Sequence, residues 1–165
     1  MYPKRNVSSA PSFDLEQLSD EALLKFRLMI EKEALNRGLA LSVGDLGEKL
    51  VIGLFKSRPD LSVLVPAPRG TKNVDALSRD GERYSIKTLL RAKKTGTIYP
   101  DPLDPQRQLF EFLLVVLLSE NFELVRVVAL EWSEFCQVRS WDSRMNAWYV
   151  ARSKRALDSG RQLFP

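Results

Sequence analysis

Apolar positions recur with two different periods along the chain, and the change of period separates its elements. From Ser19 to Arg37 the residues Leu23, Leu24, Phe26, Leu28, Ile30 and Leu35 form a stripe at helical spacing, with Ser19 as the N-cap and Gly38 as the stop. Such a stripe predicts a helix with one buried face. Ser42 to about Lys56 predicts a second helix, its apolar arc made of Val43, Leu46, Leu50, Val51 and Leu54, with Asp45, Lys49 and Lys56 on the solvent side. Ser42 followed by Asp45 reads as a capping box with Asp in the place of Glu or Gln. At about 100° per residue, Glu48 falls at the margin of the arc, between Phe55 and Ile52, and Gly44 one turn earlier leaves room for another group to approach. Glu48 is therefore not placed like an ordinary surface glutamate.

After the second helix the period shortens to two. Leu61 to Val65 predicts a short strand that ends at Pro66-Ala67-Pro68. Val74 to Leu77, the Asp80-Gly81 turn and Arg83 to Leu89 together predict a hairpin. A loop rich in proline runs from Arg91 to Gln106, and Phe110 to Leu118 is apolar almost throughout, as a strand buried on both faces is. Leu124 to Leu130 is expected as its antiparallel neighbour, Trp132 to Val138 as a short helix and Ala147 to Ala151 as a last strand. Residues 1–12 carry two prolines and three serines and read as a lead-in without fixed structure, leaving 13–165 as a single domain. The order of elements predicts an α/β (α+β) fold with a central mixed β-sheet flanked by helices.

Composition narrows the chemistry. The chain contains no histidine and a single cysteine, Cys136, which is expected to pack on an apolar helix face. Imidazole bases, histidine-containing zinc sites and Ser-His or Cys-His pairs are thereby excluded, as is an intramolecular disulfide. Catalysis, if present, rests on carboxylates, lysines or a hard cation held by oxygen. No apolar run approaches the length of a membrane span and no secretory signal opens the chain, so a cytoplasmic protein with no membrane partner is expected. The formal charge of +4 is uneven: Arg69 to Lys94 holds eight bases against three acids. From Arg139 onward there are six bases against Asp142 and Asp158. Two basic stretches are equally consistent with a polyanion partner, nucleic acid first, and with a solvated surface.

Strand alternation puts Arg83, Ser85 and Lys87 on one face and Tyr84, Ile86 and Thr88 on the other, with Asp75 on the facing arm near the same level. A carboxylate and a lysine so placed are what metal-assisted phosphodiester hydrolysis uses, and a second carboxylate from Glu48 suffices for Mg²⁺, which keeps several of its waters. The plain alternatives are a turn acid paired with Lys72 or Arg83, a solvated strand lysine, and a helix salt bridge at Glu48.

The run Gly44-Asp45-Leu46-Gly47-Glu48, then Asn73-Val74-Asp75, the Asp-Gly turn and Tyr84-Ser85-Ile86-Lys87-Thr88 resembles the PD-(D/E)XK superfamily, the restriction-endonuclease-like fold of many type II restriction enzymes and archaeal Holliday-junction resolvases. The resemblance spans Gly44 to Thr88. It implies a Mg²⁺-dependent DNA endonuclease (Mn²⁺ as a substitute) with Asp75 and Glu48 as metal ligands, the Ile86 carbonyl as a further ligand, and Lys87 as the motif lysine. Double-stranded DNA is the implied partner, and its two-strand cleavage by a chain with one site implies a homodimer. Apart from the resemblance, the bases Arg69, Lys72, Arg91, Lys93 and Lys94 are expected to contact phosphate, a plain solvated loop being the alternative for Arg91, Lys93 and Lys94. The departure is Ser85, which stands where the motif carries Glu, Asp or Gln, so a catalytic role there rests on a short neutral hydroxyl. A DNA-binding module with a degenerate metal site and a structural or assembly scaffold are the competing readings.

Overall fold

The computed structural model describes residues 14–40 and 42–165, and the lead-in at residues 1–12 lies outside them. The chain divides into two compact units, Met1–Leu41 and Ser42–Pro165.

In the first unit a 3-10 turn at Leu15–Gln17 precedes helix α1, Asp20–Asn36. Ser19 caps the helix as expected, its Oγ accepting from the Ala22 N–H at 3.2 Å. Pairs one turn apart, Lys25–Glu21, Arg27–Glu31 and Arg37–Glu33, brace its surface. The expectation of a buried stripe is corrected: Leu24, Leu28 and Leu35 are 60%, 63% and 78% exposed, and Ala34 is the buried residue of the helix. Helical period alone supplies a stripe but not a second layer, and within its own unit a lone helix has none to bury it against.

The second unit opens with α2, Val43–Ser57, capped by Ser42, whose Oγ accepts from the Asp45 N–H at 3.1 Å. The Asp45 carboxylate meets the Ser42 hydroxyl rather than the cap's backbone, so the reciprocal capping box is not formed here. A complete one stands instead at α3, Trp132–Val138, between Glu131 and Glu134. The strands are β1 Leu64–Pro66, β2 Ala76–Ser78, β3 Arg83–Leu89, β4 Phe112–Leu118 and β5 Leu124–Glu131. β6 Arg139–Asp142 and β7 Ala147–Val150 follow α3, and α4 Lys154–Asp158 and β8 Arg161–Phe164 close the unit.

The main sheet is mixed, in the order β1-β2-β3-β4-β5-β8. β1, β2 and β3 form an antiparallel meander turned at Gly81, which takes a left-handed φ of 84° that suits glycine. β4 then lies parallel to β3, with Ser85 beside Leu113 and Lys87 beside Val115. Parallel pairing demands a long crossover, and residues 90–111 supply it without a helix. β4 is buried from Leu113 to Leu118 because both sheet faces are covered. One core gathers Tyr84, Ile86, Leu114, Val116 and Val127 under Val51 and Phe55 of α2. The other sets Leu113, Val115 and Val128 against Phe135 of α3, Val150 of β7 and Leu157 of α4. The result is a mixed α+β architecture, and among the described residues no helix is long and apolar enough to cross a membrane.

The expected last strand is corrected. Ala147–Val150 pairs with β6 in a separate two-stranded ribbon, and the chain continues through α4 to β8 at the sheet edge. Four-residue strands are too short to display a period, which is why β6 and β8 escape a pattern-based reading. Cys136 and Trp132 pack against the second core, whereas Trp141 stays 44% exposed, edge-on to Trp148.

Candidate active site

The site is assembled on β3. Tyr84 and Ile86 enter the core beneath α2, and the Tyr84 ring stacks on Phe112 and meets Phe55 edge-on. The Tyr84 hydroxyl donates to Glu82 at 3.0 Å, and burial together with that carboxylate raises its pKa. Glu82 therefore serves the α2 face, on the opposite side of the strand from Ser85. Thr88, next on that face, marks the closest approach of helix to strand. A Cβ on Gly47 would sit 1.9 Å from Thr88 Oγ1, so glycine is required there. This corrects the role given to Gly44, beside which a Cβ would meet nothing nearer than Ser42 Oγ at 3.5 Å. Gly47, not Gly44, seats the helix, and the residue it delivers is the next one, Glu48.

Asp75 lies immediately before β2, and both of its backbone groups are engaged: its N–H donates to the Tyr84 carbonyl at 2.8 Å and its carbonyl accepts from the Ala67 N–H at 2.9 Å. Its carboxylate Oδ2 accepts from the Ile86 N–H at 2.6 Å and from Ser85 Oγ at 3.3 Å. Ser85 is fully buried, and its hydroxyl points at Asp75. Neither Lys72 nor Arg83 pairs with Asp75. Arg83 binds Glu111 instead, at 2.7 Å through its guanidinium and 2.6 Å through its backbone N–H, and this partnership holds the Glu111 carboxyl below its ordinary pKa.

Glu48, half-buried on α2, has its pKa raised, first by burial and then by the negative charges of Asp75 and Asp45, while Lys87 and Lys49 pull it down. Asp75 and Lys87 thus act on Glu48 from the neighbouring strands, and the three side chains share one electrostatic neighbourhood. No hydrogen bond or ion pair ties the half-buried Lys87 ammonium among the described residues. No group of three Asp, Glu, Cys or His residues gathers among the described residues.

The basic residues divide. Lys94 donates to Asp142 at 2.7 Å and lies over the Tyr149 ring at 4.4 Å, fastening the crossover to the β6–β7 ribbon. Arg91 reaches Glu120 at 3.3 Å in a pair 77% exposed on both sides, which solvent leaves weak. Arg69 and Lys93 are exposed. Lys72 lines a cleft of about 480 Å³ between the segment leading into Asp75 and the crossover, with Asn73, Arg83, Tyr99, Asp101 and Arg107 among its walls. Pattern reading missed this cleft because its two sides are far apart in sequence. Asn73, held at a left-handed φ of 59°, joins the two sides, its side-chain amide donating to the Tyr99 carbonyl at 3.1 Å. Comparison with protein-family models and with curated proteins returns no match.

Proposed function

We propose that the chain is a Mg²⁺-dependent endonuclease acting on DNA, built on a restriction-endonuclease-like fold of the PD-(D/E)XK type. The observation that carries the reading is the Asp75 carboxylate, held at 2.6 Å by the Ile86 N–H in the strand that bears Lys87, with half-buried Glu48 of α2 within electrostatic reach of both. The donor set suits the cation: Mg²⁺ takes one or two carboxylates and keeps its waters, and Glu48, whose charged form is disfavoured by burial and by the charge of Asp75, is with Asp75 the pair that would hold it. A divalent cation bound there supplies Lewis-acid polarisation of the phosphodiester.

The remaining work falls to the chain. The Lys87 ammonium, with no ion pair to break, faces the negative charge that grows on the phosphate. Ser85 and the Ile86 N–H fix the Asp75 carboxylate in one orientation, which makes Ser85 a positioning residue. Cleaving both strands of a duplex with one site per chain calls for two copies acting together.

A second reading is favoured by one observation. The buried Ser85 hydroxyl stands where a third acid would complete the cage, as expected of a DNA-binding module that has lost its metal. The deciding experiment incubates supercoiled plasmid with Mg²⁺ or Mn²⁺ and wild type, Asp75→Asn or Lys87→Met. The nuclease reading expects wild type to nick or linearise the plasmid and each variant to be slower by about a hundred-fold or more. Plasmid bound but left intact by all three proteins contradicts it and supports the binding module.

A further inference from the structure

We propose that the cleft beside Asp75 is a nucleotide subsite, taking one unpaired base of a single-stranded or locally opened nucleic acid against the Tyr99 ring, with the adjoining phosphate on Lys72. The inference deepens the nuclease reading and rests on it for the identity of the polymer. A cleft of about 480 Å³ falls within the ~300–1,000 Å³ typical of small-molecule sites, and its walls combine an aromatic face with cations. Tyr99 is 48% exposed, so part of its ring is open to a ligand.

The platform under Tyr99 is rigid. Its neighbour Ile98 is fully buried and exchanges two backbone hydrogen bonds with Trp148, each 2.8 Å long. On the other side of the cleft the Asn73 amide holds the Tyr99 carbonyl at 3.1 Å. A backbone held this way leaves only the Tyr99 side chain to order when a base arrives, and aromatic stacking accepts any base because each has a π-face.

The charges sort themselves as well. Arg83 is engaged by Glu111 and Arg107 by Asp101, at 3.1 Å, whereas the Lys72 ammonium has no ion pair among the described residues. Lys72 is therefore the wall cation left for a phosphate. The cleft is also continuous with the catalytic groups. Asn73 and Val74 lead directly into Asp75, and Arg83 shares a β3 face with Ser85 and Lys87, about 13 Å away at the far end of that stretch. A strand whose phosphate sits at Asp75 and Lys87 has a neighbouring nucleotide within reach of the cleft. Bases in an intact duplex are stacked and paired and cannot enter it, so the subsite selects unpaired residues.

The test measures binding to the full chain by fluorescence anisotropy in chelator at one fixed salt, so that cleavage plays no part. The probes are a labelled single strand and the blunt duplex of the same sequence. Wild type and Tyr99→Phe should bind the single strand about ten-fold or more tightly than the duplex; Tyr99→Ala should lose most of that preference while binding the duplex as wild type does. A single strand substituted with iodouracil should photo-crosslink to Tyr99 in the wild-type protein, a readout that needs no variant. Equal binding of the single strand by wild type and Tyr99→Ala, or crosslinks only outside the cleft, overturns the subsite. The nuclease reading stands or falls separately, on plasmid cleavage.

Discussion

Gly47→Ala puts one methyl group into the contact that seats α2 on β3. The added Cβ would lie 1.9 Å from Thr88 Oγ1, 2.6 Å from its Cγ2 and 2.7 Å from its Cβ. Rotating the threonine moves the first two atoms but not the third, so helix and strand must separate. Such overpacking costs about 1–3 kcal/mol. Alanine in place of an interior helical glycine returns about 1 kcal/mol of propensity. Gly53→Ala on the same helix isolates the clash, because a Cβ there meets nothing within 4 Å and only the propensity gain remains. In urea denaturation followed by circular dichroism, Gly53→Ala should be the more stable variant by the overpacking term alone, about 1–3 kcal/mol, with unchanged slope. Separating helix from strand also carries Glu48 away from Asp75 and Lys87, so Gly47→Ala should lose cleavage at temperatures where it is still folded, and Gly53→Ala should not. Equal stability of the two variants would refute the claim that Gly47 sets the spacing.

Two further outcomes are expected. Ser85→Ala removes one of the two hydrogen bonds on Asp75 Oδ2 and should cost about 1 kcal/mol in thermal unfolding while weakening cleavage through a less ordered Asp75; unchanged activity would show that Ser85 does not position the acid. The Glu111 carboxyl, whose folded pKa lies below its unfolded value through the hydrogen bond from Arg83, contributes stability that is present above the unfolded pKa and lost as pH falls through the folded one. Glu111→Gln should therefore flatten the acid limb of stability against pH, by no more than about 1 kcal/mol because the pair is a third exposed, and an unaltered acid limb would remove the pair from the account.

The placement of the candidate site residues follows strong periods in the sequence. The arc of α2 located the margin where Glu48 lies, the alternation in Arg83–Leu89 separated Lys87 from Ile86, and the Asp-Gly turn brought Asp75 back toward both. What escaped depended on partners distant in the chain. A helical wheel cannot tell which of two glycines faces a strand, and only the position of Thr88 selects Gly47 over Gly44. The stripe on α1 was visible as a pattern, but among the described residues of that helix's own unit no second layer faces it. The pairing of Lys94 with Asp142 joins residues 48 apart in the chain, which no local pattern shows. The cleft joins Asn73 to Tyr99 across 26 residues, and nothing local to either side announces the other.

The account turns on Glu48, Asp75 and Lys87 forming one cation-binding site, and the Glu48 carboxyl reports on all three. Its NMR titration should run above the ordinary glutamate range in wild type, fall in Asp75→Asn, rise in Lys87→Met, and drop when Mg²⁺ is added. An ordinary titration indifferent to both substitutions and to Mg²⁺ would contradict the account.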